Sequence, residues 1–315
     1  MSEYHQRKYR TASIALLLLI ISCSLIVGCV SLPPQGHGTP APSMTATPAA
    51  AGTGLANGTL QVHFLDVGQG DSILVKYGNK SMLVDGGPID AGQTVGSYLK
   101  GQGIGTIDVL VSTHPHADHI GGLLTVLRDF PVKVVYDSGI PHTTQTYEEY
   151  LTLIDRKNIR YIVPERGNTI DLGPGVTVQV LSPPPGGIEG GDLNENSIVL
   201  KITQGSVGFL LASDAGFKAE DAMLASGHDL KSQALKVGHH GSKYSSSRAF
   251  LKAVDPGYSV IEVGADNPYG HPAPATLARL DEIGSKVYRT DRDGNIVMVS
   301  DGKGIIVSPQ RTAPA

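Results

Sequence analysis

From Thr59 onward, short runs of apolar and β-branched residues alternate with stretches whose apolar positions fall three and four apart. Residues 60–65 alternate and predict a strand. Residues 72–77 and 80–84 predict two more, joined by Gly78-Asn79, which favours a tight hairpin turn. A helix is expected over 93–100, a strand over 107–113, a helix opening near Gly121-Gly122 and a strand over 132–136. Residues 146–158 have helical spacing in Tyr150, Leu151 and Ile154. Strands follow at 161–163, 176–181, 197–202 and 208–212, then a helix at 218–226, a strand at 234–237, a helix at 246–253, a strand at 259–263 and a helix at 274–283. The pattern closes on a predicted hairpin, 286–289 with 296–299, around Asp293-Gly294-Asn295. Strands first and then strand–helix alternation, repeated in both halves, predicts two packed sheets with helices outside. No internal repeat is visible, and no linker interrupts the chain after Thr59.

Upstream of Thr59 the pattern is different. Arg7, Lys8 and Arg10 precede an apolar run over 11–27 that ends in Ile26-Val27-Gly28-Cys29. This reads as a lipoprotein-type signal peptide, 1–28, with Cys29 as the lipidated first residue, or as an uncleaved anchoring helix. Either reading tethers the protein outside the cytoplasmic membrane. Residues 29–58 are Pro, Thr, Ala and Gly with almost no charge, which cannot bury enough surface to fold and predicts a flexible tether. One folded domain is expected over 59–309, with a tail at 310–315. Cys23 and Cys29 are the only cysteines of the 315-residue chain, so the domain has no disulfide to rest on. Net charge is −4; without residues 1–28, which carry three basic residues and one acidic, it is about −6. Overall charge therefore argues against non-specific nucleic-acid binding, while leaving room for a local basic groove.

The densest chemistry is at 114–119, His-Pro-His-Ala-Asp-His, followed by Ile-Gly-Gly. Three imidazoles and a carboxylate within six positions can serve one or two transition-metal ions. His114 and His116 can grip one ion, Asp118 and His119 a second. Such donors suit Zn, Mn or Fe rather than Mg or Ca. The strand expected over 107–113 puts the cluster on a loop at a strand's C-terminal edge, where ligands of α/β proteins collect. Further polar residues directly follow apolar strands: Asp85 in Leu83-Val84-Asp85-Gly86-Gly87, Asp214 after Phe209–Ser213, His239 and His240 after 235–238, and His271 in Tyr269-Gly270-His271-Pro272. Each alone is more readily a turn-former; together they supply donors for two ions.

The ordered set of Asp85, HPHADH, Asp214 and HHGS resembles the metallo-β-lactamase superfamily. The resemblance implies an αββα four-layer sandwich holding two divalent metal ions, Zn or else Mn. More narrowly, HFLDVGQGDSILV, MLVDGG, THPHADHIGG, NENSIVL, HHGSKYSSS and NPYGHP resemble the exported metallo-hydrolase domain of the ComEC competence family over 60–299. The chain lacks that family's membrane channel segments, so a role in moving DNA does not carry over. By this resemblance His114 and His116 bind one ion, Asp118 and His119 the other, Asp214 bridges them, and His239 or its neighbour His240 completes a shell. Superfamily members often supply another histidine before the bridging aspartate. Here that interval holds only His142, outside the expected place, and Asn196 of NENS is the expected weaker donor. Asp85 is expected to orient histidines rather than bind metal.

Two segments have competing readings. The turn at 66–72 is either an anion-binding nest of backbone amides or a structural turn, without the spacing of a nucleotide P-loop. Ser242 and Lys243 are candidate phosphate contacts at a helix start, or Ser242 is an ordinary cap. The expected activity is metal-assisted hydrolysis of a phosphodiester, in DNA or a phosphate-containing surface polymer. Asp118 or Asp214 takes the proton of the attacking water, and His240 or His271 protonates the leaving group. No serine or cysteine has an adjacent base that would suggest a covalent route. Lactones, thioesters and β-lactams are the alternative substrates, and a catalytically silent binding module the alternative class. No protein partner is expected.

Overall fold

The structure is a computed structural model that describes residues 58–311. The expected signal segment and all but the end of the tether lie outside the described residues, as does most of the tail. Strands β1 (Leu60–Phe64), β2 (Ile73–Tyr77), β3 (Lys80–Val84), β4 (Val109–Ser112), β5 (Val134–Asp137) and β6 (Arg160–Ile162) run through the first half. A second sheet takes β7 (Thr169–Ile170), β8 (Thr177–Ser182), β9 (Val199–Gln204), β10 (Val207–Leu211), β11 (Ala234–Lys236), β12 (Tyr258–Ile261) and β13 (Lys286–Arg289). The last two strands, β14 (Ile296–Ser300) and β15 (Ile305–Pro309), return to the first sheet, whose order is β15-β14-β1-β2-β3-β4-β5-β6.

Alternation along each strand builds the layers. In β2, Ile73 and Val75 turn toward the second sheet and join Phe64, Val111, Phe209 and Leu211 in one core. Leu74 turns the other way and packs with Leu83 and Leu110 under α1 (Gly92–Gly101), α3 (Leu123–Asp129) and α4 (Gln145–Arg156), while the short α2 (Ala117–Ile120) adds Ile120. On the far side, Leu210 and Leu235 pack against α5 (Phe217–Leu224), α6 (Arg248–Val254) and α7 (Pro274–Glu282). The result is the expected helix–sheet–sheet–helix sandwich. Central strands such as β4 and β10 are buried on both faces, which explains why they read as continuous apolar runs.

The terminal hairpin expected from sequence is not there. β13 pairs parallel with β12, and β14 pairs antiparallel with β1, so the two lie in different sheets. Between them stands α8 (Thr290–Asp293). Buried Thr290 holds the crossover: its hydroxyl accepts from the Val263 N–H at 2.8 Å and donates to the Val263 carbonyl at 3.0 Å. Ile296 and Met298 then enter the core between the sheets, which an isolated hairpin could not provide. Gly294 ends α8 with φ 67° and is not the tip of a hairpin. The edge strands β7 and β15 were not expected; the one has two residues, and the other is half-exposed.

Phe209 is fully buried between the sheets, so Phe209→Ala is expected to cost about 3–5 kcal/mol, read as a lower urea midpoint at unchanged slope. Glu220 gives a pH-dependent term. Its buried carboxylate accepts the Ser247 N–H at 2.8 Å and the Ser246 N–H, and burial pushes its pKa up to about 7 against those amides. The native state therefore holds this proton more tightly than the unfolded chain between pH 4.5 and 7. Stability falls as pH rises through that window, by about 3 kcal/mol from this group. In urea titrations at stepped pH, Glu220→Gln is expected to remove that component of the slope.

Candidate metal centre

Four strand ends meet at one edge of the sandwich. Asp85 follows β3 in a left-handed conformation, φ 57°, and is fully buried. Its Oδ1 accepts the Thr113 N–H at 2.8 Å; its Oδ2 accepts the Thr113 hydroxyl at 2.7 Å and pairs with His119 Nδ1 at 2.8 Å. With Nδ1–H committed to Asp85, His119 turns Nε2 inward, where it makes no hydrogen bond. Because Thr113 donates to Asp85, its oxygen accepts from Ser213 Oγ at 2.7 Å and from His114 Nδ1 at 3.1 Å. That contact puts the proton on Nδ1 of His114 and leaves Nε2 for the site. His240 repeats the device, with Nδ1 2.9 Å from the Glu262 carbonyl and Nε2 buried without a partner.

The free donor atoms converge on Asp214, which is buried and follows β10. Its Oδ2 lies 3.4 Å from His119 Nε2, 3.6 Å from His240 Nε2 and 3.8 Å from His114 Nε2. Asp118 Oδ2 lies 3.4 Å from His240 Nε2 and 4.0 Å from His119 Nε2. His116 Nδ1 is 3.0 Å from His114 Nε2. Four donors about 2.0–2.2 Å from one ion at tetrahedral angles stand roughly 3.3–3.5 Å apart. Asp118, His119 and His240 form one group of three candidate donors, His114, His119 and Asp214 another, and Asp214 Oδ2 stands within 3.8 Å of the inward nitrogens of all three buried histidines. Buried His119 Nε2, His240 Nε2 and Asp214 Oδ1 each lack a hydrogen-bond partner, at a cost of about 1–3 kcal/mol apiece that a bound cation would remove. The donor set therefore suits two divalent ions sharing Asp214.

The histidine pair left open by sequence separates here. His239 and His240 both adopt left-handed backbone, φ 48° and 50°, in the turn at Gly238–Gly241. That geometry sends His240 into the buried cluster. His239 stays on the wall, with its side chain 30% exposed and Nε2 3.8 Å from Asp214. Of the two, His240 therefore stands among the buried candidate metal donors, and in that role it is not free to act as the acid expected of it. His271 is at the rim, its ring 5.5 Å from that of His239. Its Nδ1 is buried without a partner, and Asn267 holds its backbone on both sides, accepting from the His271 N–H at 3.0 Å and donating to its carbonyl at 2.7 Å. Burial first, then His239 and His240, lower the His271 pKa to about 4. It is therefore neutral at pH 7 and is not a ready proton donor.

Three other expectations are corrected by local bonding. Asn196 spends its amide on its own loop, accepting from the Ile188 N–H at 2.6 Å and donating to the Asp192 carbonyl at 2.9 Å. Asn194 lines the metal cavity instead, a space of about 330 Å³ shared with Gln69, His116, Asp118 and His271. Ser242 is buried, and its hydroxyl accepts the Tyr244 N–H at 3.3 Å; Lys243 is exposed beside the Tyr244 ring. The amides ahead of α6 already hold the Glu220 carboxylate, so no phosphate cradle forms there. The turn at 66–72 is structural rather than an anion nest. Its Gly70, φ 143°, packs so closely on the metal loop that a Cβ would meet the Asp118 carbonyl at 2.2 Å.

That turn delivers the residue that sequence reasoning missed. Asp71 is buried, ion-paired with fully buried Lys236, and 3.3 Å from His240 Nδ1. Burial alone would raise its pKa, but Lys236, His240 and His119 outweigh it and hold Asp71 at about 2. Lys236 donates to the Ser213 carbonyl at 2.9 Å and lies 3.9 Å from Asp214 Oδ1. Burial, then Asp71, push neighbouring Glu262 well above the usual carboxylate range while it accepts the Ser72 N–H at 3.0 Å. The available signal was a lysine in an otherwise apolar strand, Ala234-Leu235-Lys236-Val237.

Buried imidazoles and carboxylates at the strand ends of an αββα sandwich define a candidate metal centre on a hydrolase-like fold. A family model described as the metallo-beta-lactamase superfamily matches residues 65–264, and the chain belongs to that superfamily. Proteins of this fold are usually metal-dependent hydrolases and typically bind two metal ions. The chain is 35% identical over 231 residues to the competence protein ComA of Neisseria gonorrhoeae, covering 73% of this chain and 30% of that protein. It is 29% identical over 255 residues to ComE operon protein 3 of Bacillus subtilis, covering 75% and 32%. It thus spans about a third of the length of these relatives. Among solved structures, Igni18, a novel metallo hydrolase from Ignicoccus hospitalis, aligns with TM-score 0.48 and 17% identity over 75% of this chain and 98% of that one.

Lys236→Met would leave Asp71 and Asp214 buried without their cation. It is expected to cost about 3–5 kcal/mol in urea unfolding of the metal-free protein, far more than a surface lysine change.

Proposed function

We propose that this chain is a metal-dependent phosphodiesterase acting on a polymer strand, with DNA or a phosphate-containing surface polymer as substrate. The observation that carries the reading is the pair of donor sets sharing Asp214 beneath an open cavity. Two divalent ions, Zn foremost, would be held there by His114, His116, Asp118, His119, His240 and Asp214, and when bound would supply an activated water near neutral pH and charge neutralisation for a phosphodiester. The chain's own residues position and receive. Asp118, one-third exposed, faces the cavity and is held ionised by His119 and His240 against the effect of burial, so it can accept a hydrogen bond from the attacking water and orient it. His239 and His271, both kept below the usual histidine pKa chiefly by burial, stand as neutral N–H donors for a phosphate oxygen.

The shape of the site favours a strand over a small amide. A neighbouring space of about 360 Å³ meets the metal cavity at Asn194, Asp214 and His239 and extends to Phe217, Lys218 and Tyr244. Tyr244 and Tyr269 are exposed at 63% and 66%, offering aromatic faces on either side, and Lys218 adds a cation for the backbone. We place this domain outside the cytoplasmic membrane, anchored through Cys29 or an uncleaved helix; the support is the basic cluster and apolar run of residues 7–29. Among the described residues no helix is long and apolar enough to cross a membrane.

With Zn or Mn added, the protein is expected to hydrolyse bis-p-nitrophenyl phosphate and single-stranded DNA, and His116→Ala to reduce turnover by about 100-fold or more. Dominant hydrolysis of nitrocefin or a simple lactone would overturn the phosphodiester reading. Two bound metals with no turnover of any substrate would make the chain a binding module.

A further inference from the structure

We propose that Asn194 supplies the amide oxygen that completes the first metal position, beside His114, His116 and Asp214, and that this position is the weaker of the two. The inference rests on the two-ion reading of the site and not on which ester is cleaved.

Counting donors exposes the gap. The second position has Asp118, His119 and His240 as one group, with Asp214 Oδ2 3.4 Å and 3.6 Å from the two ring nitrogens, which makes four candidate donors. The first has His114 Nε2, His116 Nδ1 and the same Asp214; His239, with Nε2 3.8 Å from Asp214, stands 30% exposed on the cavity wall, which leaves this position one buried donor short. The loop at 192–198 is built to fill it. Glu195 caps α5, accepting the Lys218 N–H at 3.3 Å and the Ala219 N–H at 2.7 Å. Asn196 is consumed inside the loop, and Ser197 donates to the Asn194 carbonyl at 2.7 Å. The Ile198 N–H donates to the Thr113 carbonyl at 3.0 Å, fastening the loop to the residue before His114. In this run of anchored polar side chains, Asn194 alone keeps a buried oxygen, Oδ1, without a partner, and Asn194 lines both adjoining cavities. A buried amide oxygen that meets no donor is unfavourable; a cation beside it removes the penalty.

A neutral amide oxygen is a poorer ligand than imidazole for Zn-like ions, so the first position binds more loosely. The rival is His142, whose ring is 6.1 Å from that of His116 and whose Nδ1 contacts Thr144 Oγ1 at 2.9 Å. It does not line the metal cavity.

The test is a zinc titration of the full chain against a chromophoric chelator, with Co(II) absorption spectra taken at one and two equivalents. Two steps are expected. Asn194→Ala weakens the loose step by about tenfold or more and leaves the tight step unchanged. Asn194→Asp and Asn194→His, which restore a donor, tighten the loose step and change the spectrum of the second Co(II) only. Identical circular dichroism separates these effects from misfolding. The proposal falls if Asn194→Ala leaves both steps unchanged, or if His142→Ala reproduces the loss and Asn194→Ala does not. A split of affinities that follows Asn194 in a protein inert toward phosphodiesters would sustain this inference and sink the catalytic one.

Discussion

The buried carboxylate of Asp85 is the contact on which the rest of the site depends. It receives an N–H and a hydroxyl from Thr113 and the Nδ1 proton of His119, so one side chain fixes where β4 ends and which nitrogen His119 presents. Through the Thr113 hydroxyl it also orients His114, and through Ser213 it reaches across to the other sheet. Loss of any one donor would leave a buried charge half-satisfied, so the arrangement holds as a unit. Its left-handed backbone is part of the same constraint, because it turns the carboxylate back over β4 instead of along β3.

Around that hub the fold gathers more negative charge than its interior tolerates unaided. Asp71, Asp85 and Asp214 are all buried, and Lys236 is the buried lysine that faces two of them. The excess shows in the imidazoles. Burial would lower His240, but Asp214 and Asp71 outweigh it and raise it to about 10; Asp214, Asp118 and Asp85 likewise lift His119 well above its ordinary value. The site thus draws positive charge to Nε2 of both rings, the atoms that face Asp214. A divalent ion at those nitrogens displaces protons, which links metal affinity to pH. Lys236 and Asp71 form a fixed pair behind the rings, and the metal donors are the adjustable part in front.

What sequence could disclose followed how local the determinant was. The cluster at 114–119, Asp85 and Asp214 each sit directly after an apolar run, so strand and donor are read together, and the αββα layering follows from the order of runs. His239 and His240 were inseparable because their difference lies in two consecutive left-handed residues that no spacing rule reports. Asn194 and Asn196 are two positions apart in one loop, and only the hydrogen bonds of Asn196 to Ile188 and Asp192 show which is free. Asp71 and Lys236 are 165 residues apart in sequence, and their pairing requires the two sheets already packed. The terminal hairpin failed for a related reason: local turn chemistry at Asp293–Asn295 was real, but core burial of Ile296 and Met298 drew β14 into the other sheet.

Donors for the centre come from both sheets. His114, His116, Asp118 and His119 follow β4 in the first; Asp214 and His240 follow β10 and β11 in the second. Away from this edge the sheets meet through an apolar core of Phe64, Val111, Phe209 and Leu211, which is non-directional and tolerates small sliding. Ion coordination is directional, and an ion held at this edge would fix the sheet spacing there. Any ion bound by donors from both sheets favours the packed state over every state in which they separate. The polar edge that weakens the sandwich on its own is therefore the edge that metal binding strengthens. Stability and metal binding would be coupled in this fold through the same six side chains.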